Sequence, residues 1–180
     1  EHLARLGARN IAFYDDALLV RPSETLIPFL DYVIAHPHGI AFHTPNALHA
    51  RMLSPDLAAR MVRAGFKTFY LGFESSSEDF QKATGGKVVS QELADAVDAL
   101  KAAGVSGEHI TAYAMLGHPK GDIQQVEQSM HFAHSLVIRI MLADFSPIPG
   151  TPDGEACRQI TDLDEPLNHN KTAFPILLLG

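Results

Sequence analysis

The chain has 180 residues, 46% hydrophobic and 19% charged, which suits one compact domain with a real core and excludes a disordered or fibrous protein. Its 14 basic and 21 acidic residues give a formal net charge of −7, so nucleic-acid binding by bulk electrostatics is disfavoured. Cys157 is the only cysteine, so no internal disulfide can form and the chain alone cannot gather thiolates around a metal cluster; a reducing, cytoplasmic location is expected. No apolar run reaches the ~18 residues of a membrane span, and no membrane association is expected.

In chain order, Glu1 to Gly7 reads as the end of a helix stopped by glycine, without Met at position 1. Together with the apolar ending at 176–180, this leads to the expectation that both ends were cut from a longer protein. A strand-like run at 10–16 closes on Asp15-Asp16. Leu26, Leu30, Val33 and Ile34 predict a helix that begins near Thr25, because Pro28 is tolerated only in a first turn. A second strand at 39–46 ends in His43-Thr44-Pro45-Asn46. Ser54 as N-cap, Pro55 in the first turn, Leu57, Met61 and Ala64 on one face, and Gly65 as the stop define the next helix.

A third strand at 66–74 breaks into Glu74-Ser75-Ser76, followed by a short helical turn at 78–84 that Gly85-Gly86 closes. Ser90 precedes Leu93, Ala94, Val97 and Leu100 at helical spacing, with Gly104 ending that segment. The fourth strand, 109–116, leads into Gly117-His118-Pro119. Asp122 with Gln125 resembles a capping box before Val126, Met130 and Ala133. The last strand, from 137, ends in Pro147-Ile148-Pro149-Gly150-Thr151, and the polar, glycine-containing chain beyond reads as irregular. The expected organisation is a core over 1–152 and an extension of the same domain over 153–180.

Strands and helices alternate at roughly the ~30 residues of a β-helix-β unit, and the strand centres are near-continuously apolar, as in a parallel sheet covered on both faces. The fold class is parallel α/β, either a partial TIM-like barrel or an open doubly wound sheet. In the barrel the strand tails share one mouth, and the polar residues at those tails are the candidates for chemistry.

Asp15 and Asp16 are adjacent carboxylates that repel unless a cation, an amine or backbone donors lie nearby; they read either as a ligand site or as loop caps. Glu74 and the serines after it suit recognition of an amine or of sugar hydroxyls, with Ser76 equally able to cap a helix. Gly117, Pro149 and Gly150 stand in turns that could bring backbone close to a flat ligand, and His43 and His118 fall on the same side. The ten histidines show no metal-ligand spacing, and no phosphate-binding loop, dinucleotide fingerprint or nucleophile elbow is present.

Taken together, the tails resemble the radical S-adenosylmethionine (SAM) enzymes, in the later units of their six-unit β/α partial barrel. The matching segments are Phe13-Tyr14-Asp15-Asp16, Phe69 to Ser75, Ala114 to Pro119 and Phe145 to Pro152, corresponding to the second, fourth, fifth and sixth strands, with His43-Thr44-Pro45-Asn46 closing the third. The pattern is most similar to the branch with cobalamin-associated and methylthio-transferring members. Five of the six units are then expected here.

The resemblance implies that Asp15 and Asp16 meet the amino group of SAM and that Glu74 and Ser76 reach its ribose or amine. It also implies that Leu116, Gly117, Pro149 and Gly150 border adenine and substrate, while His43, Asn46 and His118 face the substrate. It implies SAM and a [4Fe–4S] cluster as cofactors, with cobalamin a further candidate for the full-length parent, whose electron donor would be a flavodoxin or ferredoxin and whose substrate is a small molecule of unknown identity. The family makes a 5′-deoxyadenosyl radical by reducing SAM at the cluster. Here the C-x-x-x-C-x-x-C loop that ligates the cluster is absent. The activity is therefore expected of the full-length parent, no metal ligand is expected within these residues, and the chain alone is expected neither to hold the cluster nor to cleave SAM. Loss of the first strand would leave an edge through which two copies could pair. The alternatives are a barrel lyase or hydrolase with a divalent metal on Asp15, Glu74 and His118, and a noncatalytic β/α binding module.

Overall fold

The structure, a computed structural model, describes residues 1–74, 90–119 and 123–169. Five strands, β1 (Asn10–Ala12), β2 (Ala41–His49), β3 (Phe66–Glu74), β4 (Ile110–Leu116) and β5 (Arg139–Asp144), form one sheet in the order of the chain, every neighbouring pair parallel. A doubly wound sheet reverses its strand order at a switch point. This sheet does not, so the winding is the single sense of a β/α barrel.

The helices are α1 (His2–Arg5), α2 (Leu26–Ala35), α3 (Pro55–Ala64), α4 (Ser90–Ala102), α5 (Ile123–Ser135) and α6 (Pro152–Ala156). The punctuation of α3 forms as its residues require. Ser54 Oγ accepts from the N–H of Leu57, Pro55 opens the first turn, and Gly65 ends the helix at φ 105°, a left-handed conformation that glycine adopts without strain. Helix α2 begins after Thr25, which keeps Pro28 within the first turn. Gly104 follows α4 with φ 95°. The expected capping box at Asp122 and the turn at 78–84 lie outside the described residues.

One core lies between the sheet and the helices. Phe69, Leu71 and Phe73 of β3 and Ile110 and Ala112 of β4 pack with Leu57 and Met61 of α3 and Leu93, Val97 and Leu100 of α4. Successive helices α2, α3 and α4 touch in turn. Phe13, Phe29, Phe42 and Phe66 form an aromatic cluster beneath β1 and β2, with ring centroids 5.3 to 5.9 Å apart.

Two expectations are corrected here. The strands are not apolar on both faces: the residues alternating with the core positions are His43 of β2, Thr68 and Tyr70 of β3 and Tyr113 of β4, all part-buried. The segment after Thr151 is not irregular throughout, because α6 follows at once, capped by Thr151 Oγ1 accepting from Gly154 N–H at 3.1 Å.

Candidate functional site

The parallel arrangement brings the tails of all five strands to one end of the sheet. Three candidate positions widely separated in the chain therefore share that end. Asp16 follows β1 by four residues, Glu74 is the last residue of β3, and Gly150 follows β5 by six. Ser76 lies outside the described residues.

Strand β2 does not close at Asn46 but continues to His49. Thr44 pairs with Phe69 and Leu48 with Leu71, so residues 45–47 stand opposite the single Tyr70, an enlarged β-bulge. Pro45 has no N–H to give the ladder, which favours a bulge at this position. Thr44 patches the gap: its buried hydroxyl donates to the Thr68 carbonyl at 3.3 Å and accepts from the Tyr70 N–H at 3.4 Å.

The bulge pushes Asn46 toward the tail of β1. Its Nδ2 donates to the Asp16 carboxylate and, at 3.3 Å, to the Tyr14 carbonyl. Asp15 plays the other part, accepting from the Ala17 N–H at 2.8 Å and so capping the turn that follows. Both carboxylates are exposed. Of the adjacent acids, Asp15 is a turn residue and Asp16 the one held in place by a partner strand.

His43 sits lower on the same inner face, one ring nitrogen 2.9 Å from Thr68 Oγ1 and the other 3.0 Å from Asn10 Oδ1. It stitches β1, β2 and β3 together. Tyr113 reaches from β4 to the β2 bulge, donating its hydroxyl proton to the Pro45 carbonyl at 3.1 Å, and its ring centroid lies 5.4 Å from that of Tyr70. Burial, reinforced by Tyr70 and Tyr14 nearby, raises the Tyr113 phenol above its ordinary pKa. Tyr14, Tyr70 and Tyr113, three of the four tyrosines in the chain, thus gather near the mouth. Sequence reading missed this group. The signal was the alternation of Thr68, Tyr70 and Gly72 against Phe69, Leu71 and Phe73.

The other half of the rim is tied to itself. His118 is 4% exposed, with Nε2 3.5 Å from Asp153 Oδ2 and its ring edge-on to Phe145, so it does not face an open substrate space as expected. The cause is α6, which folds back over the end of β4. The Leu116 carbonyl is taken by the Phe145 N–H at 2.8 Å, and Gly117 turns at φ 80°. Pro149 and Gly150 are exposed, and the Gly150 N–H donates to Glu155 Oε1 at 2.8 Å. That bond and the stronger one from Arg158 hold the Glu155 carboxyl below its ordinary pKa.

The metal-dependent alternative finds no support. Among the described residues no three His, Cys, Asp or Glu side chains come together as metal ligands, and His118 is turned into Asp153 rather than toward Asp15. A cavity of about 730 Å³ lies away from the rim, where the starts of β2 and β3 meet α1 and α2, lined by Leu3, Phe29, Val33 and Ile40.

The arrangement, a singly wound parallel sheet with polar tails around one mouth, defines the class as a β/α partial barrel. The family model of the radical SAM superfamily matches residues 1–133, and the chain belongs to that superfamily. The cofactors of this family are SAM and a [4Fe–4S] cluster.

Among solved structures, the chain is similar to the radical SAM methyltransferase TsrM from Kitasatospora setae with cobalamin and [4Fe–4S] cluster bound. The TM-score is 0.70 at 14% identity, covering 90% of this chain and 33% of that one. TsrM with tryptophan and a SAM analogue bound gives 0.69 at 14% identity, covering 90% and 32%. The coproporphyrinogen III oxidase HemN from Escherichia coli gives 0.63 at 12% identity, covering 99% and 41%. The chain thus spans less than half the length of each. No curated protein sequence matches the chain. Among the described residues no helix is long and apolar enough to cross a membrane.

Proposed function

We propose that this chain is the SAM-holding portion of a radical SAM oxidoreductase whose full-length form cleaves SAM reductively and acts on a small molecule. The observation that supports this most directly is the exposed Asp16 carboxylate, fixed by Asn46 at the mouth of a barrel whose family is established. An anchored acid suits the ammonium of the SAM methionine, because a charge-assisted hydrogen bond is strongest where the acceptor is already oriented. Glu74, on the adjoining β3 tail, is assigned to the ribose or amine of SAM, with Ser76. Asp15 contributes negative charge, while Asn46 and His43 face the substrate side. Backbone from Leu116 to Gly117 and from Pro149 to Gly150 borders the adenine.

The residues present do not fit the [4Fe–4S] cluster. The single thiol, Cys157, is fully buried, donates to the Asp153 carbonyl at 3.2 Å and is pushed above its ordinary pKa by burial and by Asp153. A cluster needs several thiolates. We assign its ligands, any cobalamin site and the docking surface for a flavodoxin or ferredoxin to parts of the protein outside these residues. Pairing of two copies along the β1 edge belongs to the same proposal.

Titration calorimetry with SAM tests the assignment. The chain is expected to bind SAM, and Asp16→Asn to weaken binding roughly tenfold or more, the worth of a hydrogen bond to a charged group. No SAM affinity, or an affinity that Asp16→Asn leaves unchanged, overturns the reading.

A further inference from the structure

We propose that Tyr113 is a positioning residue, which acts through the β2 bulge to hold Asn46 against Asp16. Its significance for ligand binding rests on the SAM reading above, but its geometry does not. Strand order places β3 between β2 and β4, so a β4 side chain that meets a β2 carbonyl must cross the inner face of β3. Tyr113 does so, beside Tyr70, and ends on the Pro45 carbonyl. That carbonyl precedes Asn46 in the chain. A bulge is the part of a strand whose ladder bonds are incomplete, and its height above the sheet is set by whatever bonds replace them. Here the replacements are Thr44 at the base and Tyr113 at the crest.

Without the Tyr113 bond the Pro45 peptide is free to tilt, and the Asn46 amide, one residue on, leaves the β1 tail. The route therefore runs from β4 through Pro45 and Asn46 to Asp16, linking three strands to one carboxylate. Gly72 contributes from β3: a Cβ there would lie 3.7 Å from Ala47 Cβ and 3.8 Å from the Leu48 carbonyl, ordinary contact. A branched side chain at that position would press on the bulge directly.

The test compares Tyr113→Phe, which keeps the ring and removes the hydroxyl, with Tyr32→Phe, which loses a tyrosine hydrogen bond to Glu1 at the far end of the molecule. The readouts are hydrogen exchange of the Asn46 side-chain amide by NMR and SAM affinity by calorimetry. In Tyr113→Phe the Asn46 amide is expected to exchange roughly two- to twelvefold faster, the range of one net hydrogen bond, while backbone amides of β4 stay protected and SAM weakens by a similar factor. Tyr32→Phe leaves Asn46 unchanged. Gly72→Val, which presses on the bulge from β3 at the position paired with Tyr113, gives the same acceleration. An Asn46 amide indifferent to Tyr113→Phe overturns the proposal whatever Gly72→Val or SAM does. Faster exchange with unaltered SAM affinity upholds the positioning role and overturns the assignment of Asp16 to SAM.

Discussion

The two halves of the mouth use one sheet edge in opposite ways. At the β1–β2 half, Asp15 and Asp16 are exposed, and the bonds that reach them come from a bulge that orients Asp16 without covering it. At the β4–β5 half, His118, Pro147, Gly154 and Cys157 are buried, and the turn backbone is bonded to the chain that follows it. A carboxylate presented by a bulge can exchange solvent for a ligand, whereas a turn strapped by a helix serves chiefly to hold its neighbours. The difference separates the residues whose loss should harm binding from those whose loss should harm stability.

The sharpest way to break this comparison is at the strap. A Cβ on Gly154 would stand 1.9 Å from the Ile148 carbonyl oxygen and 2.7 Å from its carbon, both backbone atoms that cannot yield without moving the turn. Gly154→Ala is expected to cost about 3 kcal/mol, a severe case of overpacking, and to lower the melting temperature by roughly 6–12 °C. A melting curve unchanged within a degree would show that α6 is not packed as described and that the β4–β5 half is open after all.

His118 is the next lever. Replacing it with alanine empties a buried site between Phe145 and Asp153 and is expected to cost about 2 kcal/mol. The effect should be visible at Cys157, which is fully buried and caps the end of α6. Reaction of that thiol with an aromatic disulfide reagent is expected to be slow in the parent chain and markedly faster in His118→Ala. Equal rates would mean that His118 does not secure α6.

The two halves also differed in how far the amino-acid pattern revealed them. Ser54-Pro55-Asp56 announced α3 because an apolar face follows, with Leu57, Met61 and Ala64 buried. Thr151-Pro152-Asp153 uses the same grammar to start α6, yet its helix has five residues and no amphipathic repeat, so the flanking glycines made it look like a loop. Glycine at 154 is present because the Ile148 carbonyl leaves no room for a side chain, a tertiary reason invisible to local pattern. Likewise Asp16 was legible as a strand-tail acid, but its partner was not. The bond from Asn46 depends on three residues of β2 facing one of β3, and register across a bulge is not written in either strand alone. The family resemblance implies a substrate-facing His118 at the end of β4, but a helix 34 residues on covers it.

The mildest expected effect lies at the outer skin of the strap, where Glu155 accepts from Arg158 and from the Gly150 N–H. These bonds lower the carboxyl pKa in the folded chain below the unfolded value of 4.5. A depressed carboxyl stabilises the fold while it is ionised in both states, so its contribution is present above pH 4.5 and is lost as the pH falls through the lower, folded value. Comparing melting temperatures of the parent chain and Glu155→Gln should therefore show a small gap at neutral pH that closes in acid. Because the pair is solvent-exposed, the gap should also shrink as salt is raised. A gap that persists in strong acid would assign the Glu155 contribution to packing rather than to charge, and would make the strap less dependent on its surface bonds than on the buried contacts of His118 and Gly154.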